Sequence, residues 1–192
     1  AGPAGMSAAC CLAESGYQVV VLDENPEPGG QVFRGLEQVR DGRPADLEVL
    51  GQHYGKGLDL IESFRQSDVL YRPRTAVWQV STPEESALTI GTVRGQQAGM
   101  VRVRHIILAA GAMERPTPFP GWTLPGVLTA GAGQTLLKSS GLVPEGRIVL
   151  AGSGPLFYLY ASQLIDAGKQ PDIVLDTRPV ASWKARAAAL PV

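Results

Sequence analysis

Cysteine is nearly absent from this chain. Of 192 residues only 2 are cysteine, and they sit side by side as Cys10 and Cys11. Adjacent helix residues point in different directions, so this pair cannot easily close a bridge, and such sparing use suits a reducing compartment. Histidine is equally scarce, with 2 in the chain. His53 and His105 lie far apart without cysteine or carboxylate companions at ligand spacing, which argues against a zinc-type site and a Ser-His-Asp constellation. There is no excess of positive charge: 17 Lys and Arg against 18 Asp and Glu give a net charge of -1. The one basic cluster, residues 102–105, alternates with valine as a strand would, so nucleic acid is not expected as a partner. Arg104 and Glu114 bracket the longest apolar run, which falls short of the roughly 20 residues of a membrane span. The expectation is a soluble chain with the cytoplasm as its default location.

Glycine, by contrast, is abundant, at 23 residues, and its placement carries the reading. Ala1-Gly2-Pro3-Ala4-Gly5 matches the last five positions of a G-x-G-x-x-G turn. The chain is therefore expected to be a fragment of a longer polypeptide. Its preceding strand would be central in the sheet, so the piece alone is expected to be poorly stable. A helix over residues 3–15 should follow, stopped by Gly16, and then a buried parallel strand over 18–22 ending in Asp23 and Glu24. A helix start presents free N–H groups and the positive end of its dipole to a diphosphate. Gly2 would let the backbone approach the phosphates, and Gly5 would let the helix pack closely on its strand. Asp23 follows at about the 20-residue interval of a carboxylate that accepts from ribose hydroxyls. Glu24, its neighbour, points to the opposite side of a strand, which favours Asp23 as the ribose ligand.

Further on, residues 25–30 form a loop. Leu47, Leu50, Tyr54, Leu58, Ile61 and Phe64 recur at spacings of three and four, the pattern of one helix face. Short strands at 69–71, 76–81, 87–93 and 100–103, punctuated by Pro83, Gly95 and Gly99, suggest an antiparallel meander at about 69–103. Residues 105–111 return to a continuous apolar strand, and 114–125, with four prolines, should be extended connection. A short helix over 129–140, closed by Gly141, precedes a second unit of strand, glycine turn and helix over 147–168, with its next strand at 172–175. The fold class is α/β: a Rossmann-like three-layer nucleotide domain over 1–120 with a meander insertion, followed by a linker helix and the start of a second Rossmann-like domain over 121–192.

The Gly29-Gly30-Gln31 loop, the 107–111 segment and the opening turn occur in the order that resembles the two-dinucleotide flavoprotein superfamily, whose first fold holds FAD. More specific are Gly29-Gly30-Gln31-Val32-Phe33-Arg34, Glu114-Arg115-Pro116, the stretch 119–127 and the stretch 134–139. They resemble the FAD-binding subunits of opine oxidase, hydrogen cyanide synthase and D-hydroxyproline or proline dehydrogenases, over nearly the whole chain. The resemblance implies FAD held by Gly2, Pro3, Ala4, Gly5, Asp23, Gly30 and Gln31, with Val77 near adenine and Ala110 and Gly111 closing over the diphosphate.

The second turn, Gly152-Ser153-Gly154-Pro155, leaves its ligand open between NAD, NADP, another nucleotide and none, with an NAD(P) site leading. Asp176 ends the following strand at a suitable interval for a ribose contact. Phe157 replaces the third glycine, and Arg178 is read as a solvated side chain ahead of a 2'-phosphate ligand. Relatives in the superfamily that relay electrons through a dithiol carry C-x4-C or C-x-x-C motifs. Neither pattern occurs here, so disulfide reductase activity is disfavoured. Lys138, Trp78 and Trp122 are read as packing or dipole-compensating residues, and no side chain is singled out as catalytic.

The leading expectation is an FAD-dependent dehydrogenase subunit that oxidises a C–N bond of a small amine or imino acid and passes electrons to a second oxidoreductase subunit or acceptor. The alternatives are an NAD(P)H-dependent flavin reductase of the ferredoxin reductase type and a non-catalytic nucleotide-binding structural subunit.

Overall fold

A computed structural model of the chain describes residues 1–82 and 87–179. The turn expected at Pro83 and the part of the second domain at 180–192 lie outside the described residues. Two compact units form, one from Ala1–Leu47 with Gly51–Met113 and the other from Glu48–Leu50 with the described part of Glu114–Val192.

In the first unit, helix α1 (Pro3–Glu14) opens with Gly2 as N-cap and Pro3 in its first turn, where the missing proline N–H costs no helical bond. It closes on Gly16, with the Tyr17 N–H bonded to the Leu12 carbonyl at 3.0 Å and that of Gly16 to Ala13 at 2.9 Å. This is the paired bonding of a left-handed glycine stop. Met6 and Ala9 are its buried residues. Strand β1 (Val20–Leu22) pairs in parallel with β2 (Leu70–Arg72), Val21 opposite Tyr71.

Between those strands lie α2 (Leu36–Gly42), α3 (Asp46–Leu50), α4 (Gln52–Gly55) and α5 (Gly57–Gln66). The single helix expected from residue 46 is thus three short ones. The break falls at Gly51, whose φ of 87° no right-handed helix accommodates. Its periodic residues still point inward: Tyr54, Ile61 and Phe64 are buried with Leu36 and Val39 of α2. The α2 helix has no counterpart in the sequence reading.

The antiparallel sheet holds three strands, β3 (Ala76–Ser81), β4 (Leu88–Arg94) and β5 (Gln97–Val103), in consecutive order. The meander therefore begins at residue 76, because β2 spends its hydrogen bonds on β1. Residues 105–113 form no strand. They find no ladder partner among the described residues, and a strand without one leaves its backbone groups unpaired.

The second unit builds α6 (Ala130–Ser140), β6 (Val149–Gly152), α7 (Pro155–Asp166) and β7 (Ile173–Asp176). Thr129 caps α6 by accepting from the Ala132 N–H at 3.2 Å, and left-handed Gly141 ends it. β6 and β7 pair in parallel. Ile148, Tyr160 and Leu164 form the core, with Ala130, Val143 and Leu150 packed against them. Among the described residues no helix is long and apolar enough to cross a membrane.

Candidate functional site

The start of α1 and the loop after β1 meet backbone to backbone. Gly30 sits at φ 58°, and a Cβ there would stand 2.7 Å from the Gly2 Cα. The Gly29 N–H bonds the Ala1 carbonyl at 2.8 Å. A Cβ on Gly5 would lie 3.3 Å from that of Ala109, so Gly5 lets the segment before Ala110 lie close against α1. Gly2, Pro3 and Gly5 are half-buried while Ala4 is exposed. The result is a shallow cradle walled by glycine backbone, with the first N–H groups of a 12-residue helix at its floor.

Asp23 stands beside this cradle, just past β1, and is 7% exposed. Its Oδ2 accepts from the Ala1 nitrogen at 2.6 Å, and its Oδ1 accepts from both the Asn25 N–H and the Asn25 Nδ2, each at 2.9 Å. Burial by itself would raise the carboxyl, while the charged Ala1 amino group and then the two Asn25 donors lower it. A carboxylate has about four lone-pair sites, and one on Oδ2 remains for a further donor. Glu24 is exposed, as strand alternation predicts. Asn25, which fixes the Asp23 rotamer, was missed from the sequence. Its signal is the Asp-x-Asn pattern, in which the acid side chain accepts from the N–H two residues on.

The turn after β2 grips the same loop. The Thr75 N–H bonds the Asp23 carbonyl at 2.8 Å, and the Arg74 N–H bonds that of Asn25 at 3.0 Å. Nearby, burial pushes the Tyr71 hydroxyl up to about 12. Gln31 is exposed and accepts from Arg34 at 3.2 Å. Val77 is exposed on β3, and Ala110 and Gly111 are exposed in the strandless segment, Gly111 at φ 76°.

In the second unit Gly152 ends β6 at φ 155° and Gly154 caps α7 at φ 101°. Phe157 turns inward, 6% exposed, and a Cβ on Gly152 would meet its ring at 3.5 Å. Asp176 lies at the end of β7 but is already engaged. It accepts from Arg178 Nη2 at 2.6 Å, from Arg178 Nε at 3.0 Å and from the Tyr158 hydroxyl. Those bonds, Arg178 first, hold the carboxyl well below its ordinary range and raise the guanidinium. Arg178 is thus an ion-pair partner and not the solvated side chain expected. Tyr158 was missed altogether, since nothing in the sequence ties residue 158 to 176.

A diphosphate fits the first cradle on its own geometry. A Cβ on Gly30 would collide with the Gly2 backbone, the first turn of α1 has N–H groups without helical partners, and the Asp23 carboxylate stands beside Ala1 with a lone pair on Oδ2 left.

Residues 1–137 match the family described as DAO, FAD dependent oxidoreductase. An opine oxidase subunit of Agrobacterium tumefaciens (strain Ach5) is 49% identical over 181 residues, covering 92% of this chain and 35% of that protein. The HcnB subunit of hydrogen cyanide synthase from Pseudomonas protegens is 40% identical over 172 residues, covering 87% of this chain and 35% of that protein. The chain therefore spans about a third of the length of the curated relatives it matches. The crystal structure of L-proline dehydrogenase from P. horikoshii shares the fold, with a TM-score of 0.69 at 20% identity over 91% of this chain and 33% of that one.

Proposed function

The chain belongs to the DAO family of FAD-dependent oxidoreductases, and from that premise we propose that it forms the FAD-binding part of an enzyme that oxidises the C–N bond of a small amine or imino acid. The observation that carries the reading is the contact of Gly30 with Gly2 at the start of α1, beside the buried carboxylate of Asp23. Gly2, Pro3, Ala4 and Gly5 bind the diphosphate, with N–H groups of the first helical turn as donors. Asp23 accepts from the ribose, and Glu24 stays in solvent. Gly30 and Gln31 close one wall, Ala110 and Gly111 the other, and Val77 lies toward adenine. FAD, when bound, supplies the two-electron acceptance that amine oxidation requires. The polypeptide orients the nucleotide and excludes water from it. Cys10 and Cys11, both free on α1, take no part as a dithiol relay.

The nucleotide domain, read as residues 1–120 of a three-layer fold with the meander as its insertion, hands over at 121–192 to a second nucleotide-binding unit. There Gly152 and Gly154 face an NAD(P)-type ligand, and Asp176 reaches its ribose only when Arg178 and Tyr158 release it. The names of the relatives, which are subunits, support a second oxidoreductase subunit or an electron acceptor as partner. Its location is the cytoplasm.

The test is spectroscopic. Protein purified with FAD should show flavin absorbance, and anaerobic mixing with an imino acid should bleach it. Bleaching by NADH alone would favour a flavin reductase, and a colourless protein that takes up no FAD would overturn the reading.

A further inference from the structure

We propose that Arg74 is an adenine-binding residue of this site, its guanidinium lying flat on the base of the bound dinucleotide. The inference rests on the FAD reading above and adds to it a side chain that neither the sequence pattern nor the glycine cradle identifies. Arg74 sits at φ 56° and is the one residue other than glycine with a positive φ among the described residues. Side chains are strained there, and wherever else the described backbone turns left-handed the residue is glycine. The conformation is imposed from two sides. The Arg74 N–H bonds the Asn25 carbonyl at 3.0 Å, and the next residue, buried Thr75, bonds the Asp23 carbonyl at 2.8 Å. The Thr75 Oγ1 in turn donates to the Pro73 carbonyl at 3.1 Å.

Those bonds also fix where the residue stands. Asp23 is flanked on one side by the Ala1 nitrogen, hence the start of α1, and on the other by the 73–75 turn. A dinucleotide with its diphosphate on α1 and its ribose on Asp23 has its base on the far flank. That flank is the carboxyl end of the β1–β2 pair, the side on which parallel sheets hold ligands. Arg74 is exposed there, and its guanidinium makes no hydrogen bond or ion pair among the described residues. A planar guanidinium stacks on an aromatic face in a way that a lysine ammonium does not. Backbone strain retained at an unpaired cation beside the ribose carboxylate is accounted for if that cation meets the base.

FAD and FMN titrations, read by flavin fluorescence, on wild type, Arg74→Ala, Arg74→Gly and Arg74→Lys test the inference, with thermal melting of each flavin-free protein alongside. Arg74→Gly should melt higher than wild type without FAD yet bind FAD about three- to tenfold more weakly. Arg74→Ala should show the same loss of affinity without the gain in melting temperature. Arg74→Lys should recover only part of it. Any affinity for FMN, which lacks adenine, should be the same in all four proteins. Equal FAD affinity in all four, or full affinity in Arg74→Lys, would overturn the stacked role while leaving the FAD reading intact. Failure of wild type to bind FAD would overturn both.

Discussion

At the scale of single residues, the site depends on what is missing from Gly30 and on what surrounds Asp23. Gly30→Ala would place a methyl 2.7 Å from the Gly2 Cα, where the methyl is fixed by the main chain that bears it and the group it meets is main chain too, so neither can rotate away. The expected loss is about 2–4 kcal/mol of stability, left-handed strain included, with FAD affinity falling by about tenfold or more as the cradle opens. Gly16→Ala is the matched control. It carries the same strain at φ 82° but meets nothing within 4 Å, so it should lower the melting temperature slightly and leave FAD binding untouched. Asp23 adds a pH signature. The Asn25 N–H and Nδ2 donate to its ionised Oδ1, each at 2.9 Å, so the stability those bonds contribute is present at neutral pH and is lost as pH falls below about 4. Urea melts of wild type and Asp23→Asn between pH 3 and 7 should differ at neutral pH and converge at the acid end; a constant gap would contradict the assignment. That Asp23 is buried and Glu24 exposed was legible from strand alternation alone. Its Asn25 clamp was legible only from an Asx-turn pattern, and the capture of Asp176 by Tyr158 was not legible, because 18 residues separate the pair.

At the scale of elements, the two glycine-turn units are built alike, and both were readable. α1 and α7 each begin with proline after a glycine N-cap and end on a left-handed glycine, Gly16 or Gly168. These are local signals, set by residues within one turn of the boundary. Elements that depend on partners were read less well. The helix from residue 46 broke at Gly51, and β2 left the meander for β1, since period and propensity say nothing of which strand supplies the hydrogen bonds. The α6–α7 contact shows the same limit. Gly133 lies inside α6, where replacement by alanine ordinarily gains about 1 kcal/mol. Here a Cβ would run into the Tyr160 hydroxyl, which is buried and lacks a hydrogen-bond partner. Gly133→Ala should therefore destabilise, by about 1–3 kcal/mol. Tyr160→Phe removes the hydroxyl and an unsatisfied polar group but leaves the ring carbons, which would stand 2.6 and 2.8 Å from that Cβ, so it should recover only part of the loss in the double variant. Chemical denaturation of the four proteins closes the cycle, and simple additivity would show that the two side chains do not meet.

At the scale of the whole molecule, each unit has its own buried residues, and the sequence marks each with a glycine turn that opens a helix, at Gly2 and at Gly154. It did not announce the state of residues 105–113. Their apolar run reads as a buried strand, yet Leu108 is 84% exposed and Met113 94% exposed. An apolar run becomes a strand only when another backbone is there to pair with it. It approaches α1 closely through Ala109, against Gly5. That places Ala110 and Gly111 next to the cradle, where a bound dinucleotide would cover them. Thermolysin cuts before exposed Leu and Met, so it should cleave the flavin-free protein first at Leu108 and Met113. FAD bound across the start of α1 would remove those sites from the open state, and at saturation cleavage there should slow by about tenfold or more. Cutting within the exposed segment 119–128, where FAD has no proposed contact, should proceed at an unchanged rate and serves as the internal reference. Equal protection of both segments would mean general stabilisation, and no protection at residue 108 would remove Ala110 and Gly111 from the site.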